Sequence, residues 1–207
     1  MNDVDLTALV SSRICHDLIS PIGAIGNGVE LITVLGNNSS PEMDLIGESA
    51  SSATAKLRFF RIAFGAATNA SMISAAEARD IVSAMFQGRF KAVWEIDRDL
   101  HRLAVKALFL SLLCVEKATP LGGTAMIMGT DPLSIVVSAS KLSKDEGLWG
   151  YLENKGTTAL TPSLVQFPLL KQLASENQFS INQNFSETTI ELRLQGLNVA
   201  QAESVTS

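Results

Sequence analysis

Apolar residues recur at helical spacing through the first third of the chain and at shorter, mixed spacing beyond it. Between Asp5 and Leu35, Leu18, Ile22, Ile25, Val29 and Ile32 are separated by four, three, four and three residues. That is the a/d seam of a packed helical hairpin or coiled coil. Gly36 to Ser40 interrupts the pattern: Gly36 suits the position after a helix, Ser40 a cap, and Pro41 the first turn of the next helix. A second helix is predicted from Pro41 to Phe64, with Ile46, Ala50, Ala53, Leu57, Phe60 and Phe64 on one side. Its middle, Glu48 to Ala55, is made of small residues that would let a partner helix approach closely. Such a hairpin cannot bury all its apolar surface alone. Two copies would close a four-helix bundle, whereas packing on the rest of the chain is the intramolecular alternative. The seam runs the length of the first helix, which favours the homodimer.

Past Gly65 to Ser71, a linker by composition, the pattern turns to α/β. A helix is expected from Ser74, with Glu77 completing a capping box, to Phe86. Phe90 to Ile96 alternates as a strand, and Arg102 to Lys117 is a strongly apolar helix ended by Thr119-Pro120-Leu121-Gly122-Gly123. Thr124 to Met128 and Leu133 to Ser140 form a hairpin, Ser163 to Glu176 a helix, and Gln178 to Phe185 with Thr188 to Leu194 a last hairpin. The fold class is therefore α+β: a helical hairpin domain over residues 1–68, an α/β domain over 72–196, and a polar tail over 197–207.

Composition narrows the function classes. The net charge of −5 and the scatter of Lys and Arg leave no basic surface for nucleic acid. Lys56, Arg58 and Arg61 are read as a solvated helix face. The apolar stretch from Ala104 to Val115 is too short for a bilayer, and no basic n-region precedes an apolar run at the N-terminus, so the expectation is a cytoplasmic protein without membrane contact. Cys15 and Cys114 have no metal-ligand spacing and are expected to pack in helices, Cys15 on the extended seam.

The chemistry concentrates at Arg13-Ile14-Cys15-His16-Asp17-Leu18-Ile19-Ser20-Pro21. Only two histidines occur in 207 residues. With the seam at zero, His16 lies ~160° away at ~100° per residue, pointing into water. Arg13, Ser20, Gly23 and Asn27 share that surface, and three of them are small or short, so a docking protein could approach. A neutral imidazole offers a free nitrogen as nucleophile. Asp17 could accept the Nδ1 proton and free Nε2, and Arg13 could stabilise a travelling phosphoryl group. Pro21 removes the helical bond to the Asp17 carbonyl. By periodicity alone, His16 could equally be an ordinary surface histidine. Asp97, Asp99 and His101 read as a solvated turn, because no second cluster completes a metal site. Trp94 and Trp149 are expected in the core or between the domains.

His16-Asp17-Leu18-Ile19-Ser20-Pro21 resembles the H-box of sensor histidine kinases, and the α/β segment is similar in element order to their ATP-binding domain. The pattern departs at the nucleotide site. Leu112 to Lys117 lacks the magnesium-binding asparagine of the corresponding kinase helix. Ser140-Lys141-Leu142 stands where an adenine-binding Asp-x-Gly should follow the strand, Asp145-Glu146-Gly147 comes too late, and no glycine-rich lid is present. A kinase-like histidine beside a degenerate ATPase-like domain, with the Leu121-Gly122-Gly123 turn, resembles the ChpT-type histidine phosphotransferases of alphaproteobacteria.

That resemblance implies a homodimeric phosphotransferase, a phosphoryl carrier between proteins rather than an ATP-dependent kinase, with His16 as the phosphorylated residue and Asp17 beside it. The donor would be the receiver domain of a CckA-like hybrid kinase and the acceptors CtrA-like and CpdR-like response regulators. Arg13, Ser20, Gly23 and Asn27 would meet the receiver. No cofactor of its own is expected, with Mg2+ held by the partner receiver. The rival readings are a non-catalytic dimeric scaffold or anti-kinase, and an active histidine kinase.

Overall fold

The computed structural model describes residues 5–35, 40–66 and 71–197. The turn expected at Gly36 to Ser39, part of the linker and the polar tail from residue 198 lie outside the described residues. Helix α1 spans Leu6–Leu35, uninterrupted through Pro21, and α2 spans Ser40–Ala63. The second part contains β1 (Met72–Ile73), α3 (Ala75–Met85), β2 (Phe90–Trp94), β3 (Leu100–His101) and α4 (Arg102–Lys117). It continues with β4 (Gly123–Gly129), β5 (Leu133–Ser138), α5 (Glu146–Trp149), α6 (Gln166–Glu176), β6 (Ser180–Phe185) and β7 (Thr189–Gln195). Short 3-10 turns at Gly150–Glu153 and Pro162–Leu164 complete it. The helical hairpin, the cap at Ser74, the apolar helix and both strand hairpins are as expected from the sequence. The Ser74 hydroxyl accepts from the Glu77 N–H at 3.1 Å.

Five strands form one mixed sheet in the order β2-β4-β5-β7-β6, with β2 parallel to β4 and the other pairs antiparallel. Alternation puts Trp94, Ile127, Ile135 and Leu192 on the buried face, in register across four strands. Helices α3 and α4 pack against the sheet, and α6 packs against α4. The turn before β4 requires glycine: Gly122 has φ +91°, and a Cβ would meet the Arg89 carbonyl. The short pair β1 and β3, and the turns around Trp149, were not visible in periodicity because each is too short to show a period.

The hairpin seam differs from the expected one. Pro21 and Gly28 are buried, and Ile14, Leu18, Ile25 and Ile32 are half-buried, whereas Ile22 is 57% exposed. The row facing α2 is therefore 14-18-21-25-28-32, rotated by ~40° from the predicted row. Small Pro21 and Gly28 let the helices close up where the pattern of large residues alone pointed elsewhere. Cys15, expected on the seam, is exposed, while Cys114 is buried.

The hairpin also packs intramolecularly, on the second domain. Phe59, Phe60, Ile62 and Ala63 of α2 join one continuous core with α3 and α4, and Phe64 packs against it; of the predicted side, Phe60 and Phe64 thus meet the second domain, while Ala50 and Leu57 are exposed. Phe59 stacks on Phe109 with ring centroids 4.4 Å apart, and meets Phe86 edge-on at 5.4 Å. Cations at the start of α4 cap the end of α2: Arg102 donates to the Arg61 carbonyl at 3.1 Å and Lys106 to that of Gly65 at 2.6 Å. Those carbonyls have no helical partner, and the positive charge suits the negative end of the helix dipole. The basic group read as a solvated face is likewise engaged in part: Arg58 pairs with Asp80 of α3 at 2.7 Å, and Lys56 contacts α1.

Phe59→Ala should destabilise the chain by about 3–5 kcal/mol, the range for truncating a buried aromatic. Chemical denaturation followed by both helical signal and tryptophan fluorescence checks this. Wild type should show coincident transitions, because hairpin and second domain share the core.

Candidate functional site

His16 stands on the side of α1 turned away from α2, its side chain 84% exposed. Its Nδ1 lies 3.1 Å from Oδ1 of Asp17. On a helix, consecutive side chains diverge by ~100°, so this contact needs Asp17 to be held back toward the ring. The holder is Arg13, one turn earlier, whose Nε donates to the other carboxylate oxygen, Oδ2, at 2.6 Å. The Arg13 side chain is 13% exposed and that of Asp17 18%. Arg13 therefore does not stand free beside His16, as its position in the sequence suggested. Its Nη1 donates at 2.9 Å to the Ser163 carbonyl in the 3-10 turn before α6.

The backbone of Asp17 has a partner of its own. Proline at 21 supplies no N–H to the Asp17 carbonyl, leaving a buried acceptor without its helical bond. Lys56 of α2 fills the gap, donating to that oxygen at 3.0 Å. Hence each oxygen of Asp17 is occupied, by Arg13, Lys56 and the imidazole. Glu116, in the last turn of α4, completes the joint between the domains. Burial raises its carboxyl above the ordinary glutamate value; Arg13 opposes the shift and Asp17 adds to it.

Ser20, Gly23 and Asn27 are all exposed on α1 beyond His16, and a Cβ on Gly23 would meet nothing within 4 Å. The low, open surface expected around the histidine is present. Two of the remaining carboxylates cap helices. Asp99 caps α3, accepting from the Ala75 N–H at 3.1 Å. Asp145, from the displaced Asp-Glu-Gly, caps α5 by accepting from Leu148 N–H and the Thr158 hydroxyl, each at 2.9 Å. Trp94 and Trp149 are buried. Among the described residues no three metal-ligating side chains are grouped, and no helix is long and apolar enough to cross a membrane.

Lys56, Glu116 and Ser163 were missed from sequence. Lys56 had a signal: a hairpin folding back near residues 36–39 brings position 56 to the height of position 17, where proline leaves a carbonyl unpaired. Glu116 and Ser163 reach the site only through the packing of the second domain.

Residues 75–189 match the family described as histidine phosphotransferase C-terminal domain. The protein phosphotransferase ChpT of Brucella abortus (strain 2308) is 38% identical over 149 residues, covering 69% of this chain and 71% of that protein. A solved structure of a bacterial phosphotransferase, 33% identical, superposes with a TM-score of 0.77 over 94% of this chain and 98% of that one.

Lys56→Met should cost about 1–2 kcal/mol by leaving the Asp17 carbonyl unpaired. In a Pro21→Ala background, whose new N–H can reach that carbonyl, the cost should fall by at least half; a double-mutant cycle on unfolding free energies checks it. Glu116→Gln tests the buried carboxyl. A raised carboxyl supports the fold while protonated and loses that support as pH rises through its folded value. The variant should match wild type in acid and become the more stable of the two toward neutral pH, as read by thermal melts across pH.

Proposed function

The chain belongs to the histidine phosphotransferase family, and on that premise we propose that His16 carries the phosphoryl group between receiver domains, with Asp17 as its fixed partner. The observation that carries this reading is a nucleophile-bearing ring open to solvent, with one nitrogen already held by a carboxylate. With the Nδ1 proton donated to Asp17, Nε2 keeps its lone pair and faces outward. It attacks the phosphorus of an aspartyl phosphate on a docked receiver. The Nε2–P bond forms as the P–O bond breaks, and the aspartate leaves as a carboxylate. The proton stays on Nδ1, where Asp17 offsets the positive charge that develops on the ring. Return to a second receiver runs the same step backwards.

Such a transition state is loose, so positioning and charge matter more than further covalent machinery. The receiver's acidic pocket would supply Mg2+. Ser20, Gly23 and Asn27 form the surface on which the receiver seats, and the partners are a hybrid-kinase receiver domain and downstream response regulators. A second copy of the chain covers the hairpin: Ile22 and Leu57 are large, apolar and more than half exposed. Leu57 also lines a mainly apolar groove of about 750 Å³, with Val10, Ile14, Phe60 and Phe64. This face lies away from His16, so dimer and receiver need not compete.

The deciding experiment mixes the protein with a receiver domain phosphorylated beforehand. Acid-labile, alkali-stable label should appear on His16, be absent from His16→Ala, and not appear with ATP alone. Absence of label from either donor would leave the scaffold reading; label from ATP would leave the kinase. Gly23→Arg should lower receiver affinity at least tenfold with no fall in melting temperature, since the position is open and arginine favours a helix more than glycine does. Leu57→Asp should yield monomers by sedimentation, whereas His16→Ala should remain a dimer.

A further inference from the structure

We propose that Arg13 is a positioning residue through which the second domain sets the ring of His16, so that this domain takes part in the phosphoryl step without binding a nucleotide. The proposal rests on the reading of His16 as the phosphoryl carrier and adds the part of the chain that makes it competent.

The connection is continuous. The Nη1 of Arg13 donates to the Ser163 carbonyl at 2.9 Å, across 150 residues of sequence. That same carbonyl accepts from Nε2 of Gln166 at 3.1 Å, and the amide also reaches the Leu113 carbonyl of α4 at 3.3 Å. Gln166 is 1% exposed, so the turn carrying Ser163 is fastened to the buried part of α4 and α6. From Arg13 the chain runs through Oδ2 of Asp17 at 2.6 Å, and from Oδ1 to Nδ1 of His16 at 3.1 Å.

Geometry requires such a chain. The Asp17 carboxylate turns about two side-chain bonds, and its natural direction diverges from that of His16. A planar guanidinium held by a fixed carbonyl on one side leaves its Nε at a defined place, and the carboxylate aligns on it. The oxygen left over then faces the imidazole and selects the Nδ1–H tautomer. Arg13 does this from a position that solvent hardly reaches, whereas His16 projects into water. The guanidinium acts on the ring through Asp17, not on an incoming phosphoryl group. Lys56 and Glu116 belong to the same joint, as the further charges beside Asp17.

The test uses the full chain and Arg13→Ala, Arg13→Lys and Gln166→Leu variants. Long-range nitrogen–proton NMR on histidine-labelled protein reads the His16 tautomer, single-turnover transfer from a phosphorylated receiver reads the rate, and titration with unphosphorylated receiver reads affinity. Wild type should hold one tautomer, protonated at Nδ1. Arg13→Ala should populate both and slow transfer about tenfold or more, by analogy with losing the outer partner that orients a metal-bound histidine, with receiver affinity unchanged within twofold. Arg13→Lys, which keeps the charge but not the planar fork, should recover only part of the rate. Gln166→Leu should shift the tautomer in the same direction by loosening the Ser163 turn.

A single Nδ1–H tautomer and wild-type transfer in Arg13→Ala would overturn the proposal. So would a fall in receiver affinity that accounts for the whole rate loss, because that would make Arg13 a docking residue. If wild type accepts no phosphoryl group while Arg13→Ala still loses the tautomer, the carrier reading fails and the positioning stands.

Discussion

A carboxylate next to a histidine on a helix is a partner only if something else holds it, and the structure is arranged around holding Asp17. Its two carboxylate oxygens meet His16 and Arg13, and its carbonyl meets Lys56. The last contact exists because of Pro21: a proline one turn on leaves that carbonyl without an N–H, and a cation from the antiparallel helix supplies the replacement. The proline thus does more than interrupt a hydrogen-bond ladder. It converts an ordinary helix position into an attachment point between α1 and α2 at the height of the histidine, and it packs into the seam itself.

The same demand explains why the two parts of the chain share a core. Ser163 can orient Arg13 only if its turn keeps a fixed relation to α1. The Phe59–Phe109 stack, and the capping of the end of α2 by Arg102 and Lys106, fasten hairpin and second domain together. A flexible tether would leave the guanidinium to choose between Asp17 and water. The hydrophobic effect supplies the attachment, which is non-directional, and the polar contacts of Arg13 give it direction. The half-buried Glu116 opposes this arrangement in part, since its carboxyl is desolvated there, and Arg13 relieves that cost while Asp17 adds to it.

Much of this was legible in the chain. Element order followed from periodicity nearly throughout, because α4 and the sheet strands are long enough to repeat their pattern. The outward direction of His16 also followed, and it survived a seam rotated by ~40°, since a residue opposite the seam stays opposite under a shift of that size. What failed has a common cause. Cys15 lies at the margin of the seam, where the same shift decides between packing and exposure. Of the side of α2 through Ile46, Ala50, Ala53, Leu57, Phe60 and Phe64, only the last two meet the core within the chain, because aromatic contacts with α4 set the orientation of α2, and those join positions about fifty residues apart. Arg13 was read as free because its partners are a side chain one turn away, which sequence could have offered, and a carbonyl in a distant turn, which it could not. Contacts made through backbone atoms carry no residue signature.

The contrast between an exposed nucleophile and its enclosed support bears on the chemical class of the donor. A phosphoryl group in a loose transition state needs its charge neutralised and water kept from the phosphorus. His16, with most of its ring in solvent, provides neither by itself, and the nearest guanidinium is turned away to Asp17. On the proposed carrier role of His16, both would arrive with the partner. A small phosphodonor could not bring a metal-loaded pocket and a covering surface with it, whereas a folded domain can. The neighbouring helix face would suit that: Ser20, Gly23 and Asn27 are exposed and keep it low, and a Cβ on Gly23 would meet nothing within 4 Å. In the proposed reaction the protein would contribute a nitrogen of fixed direction, and the closed half of the reaction chamber would belong to whichever domain docks on it.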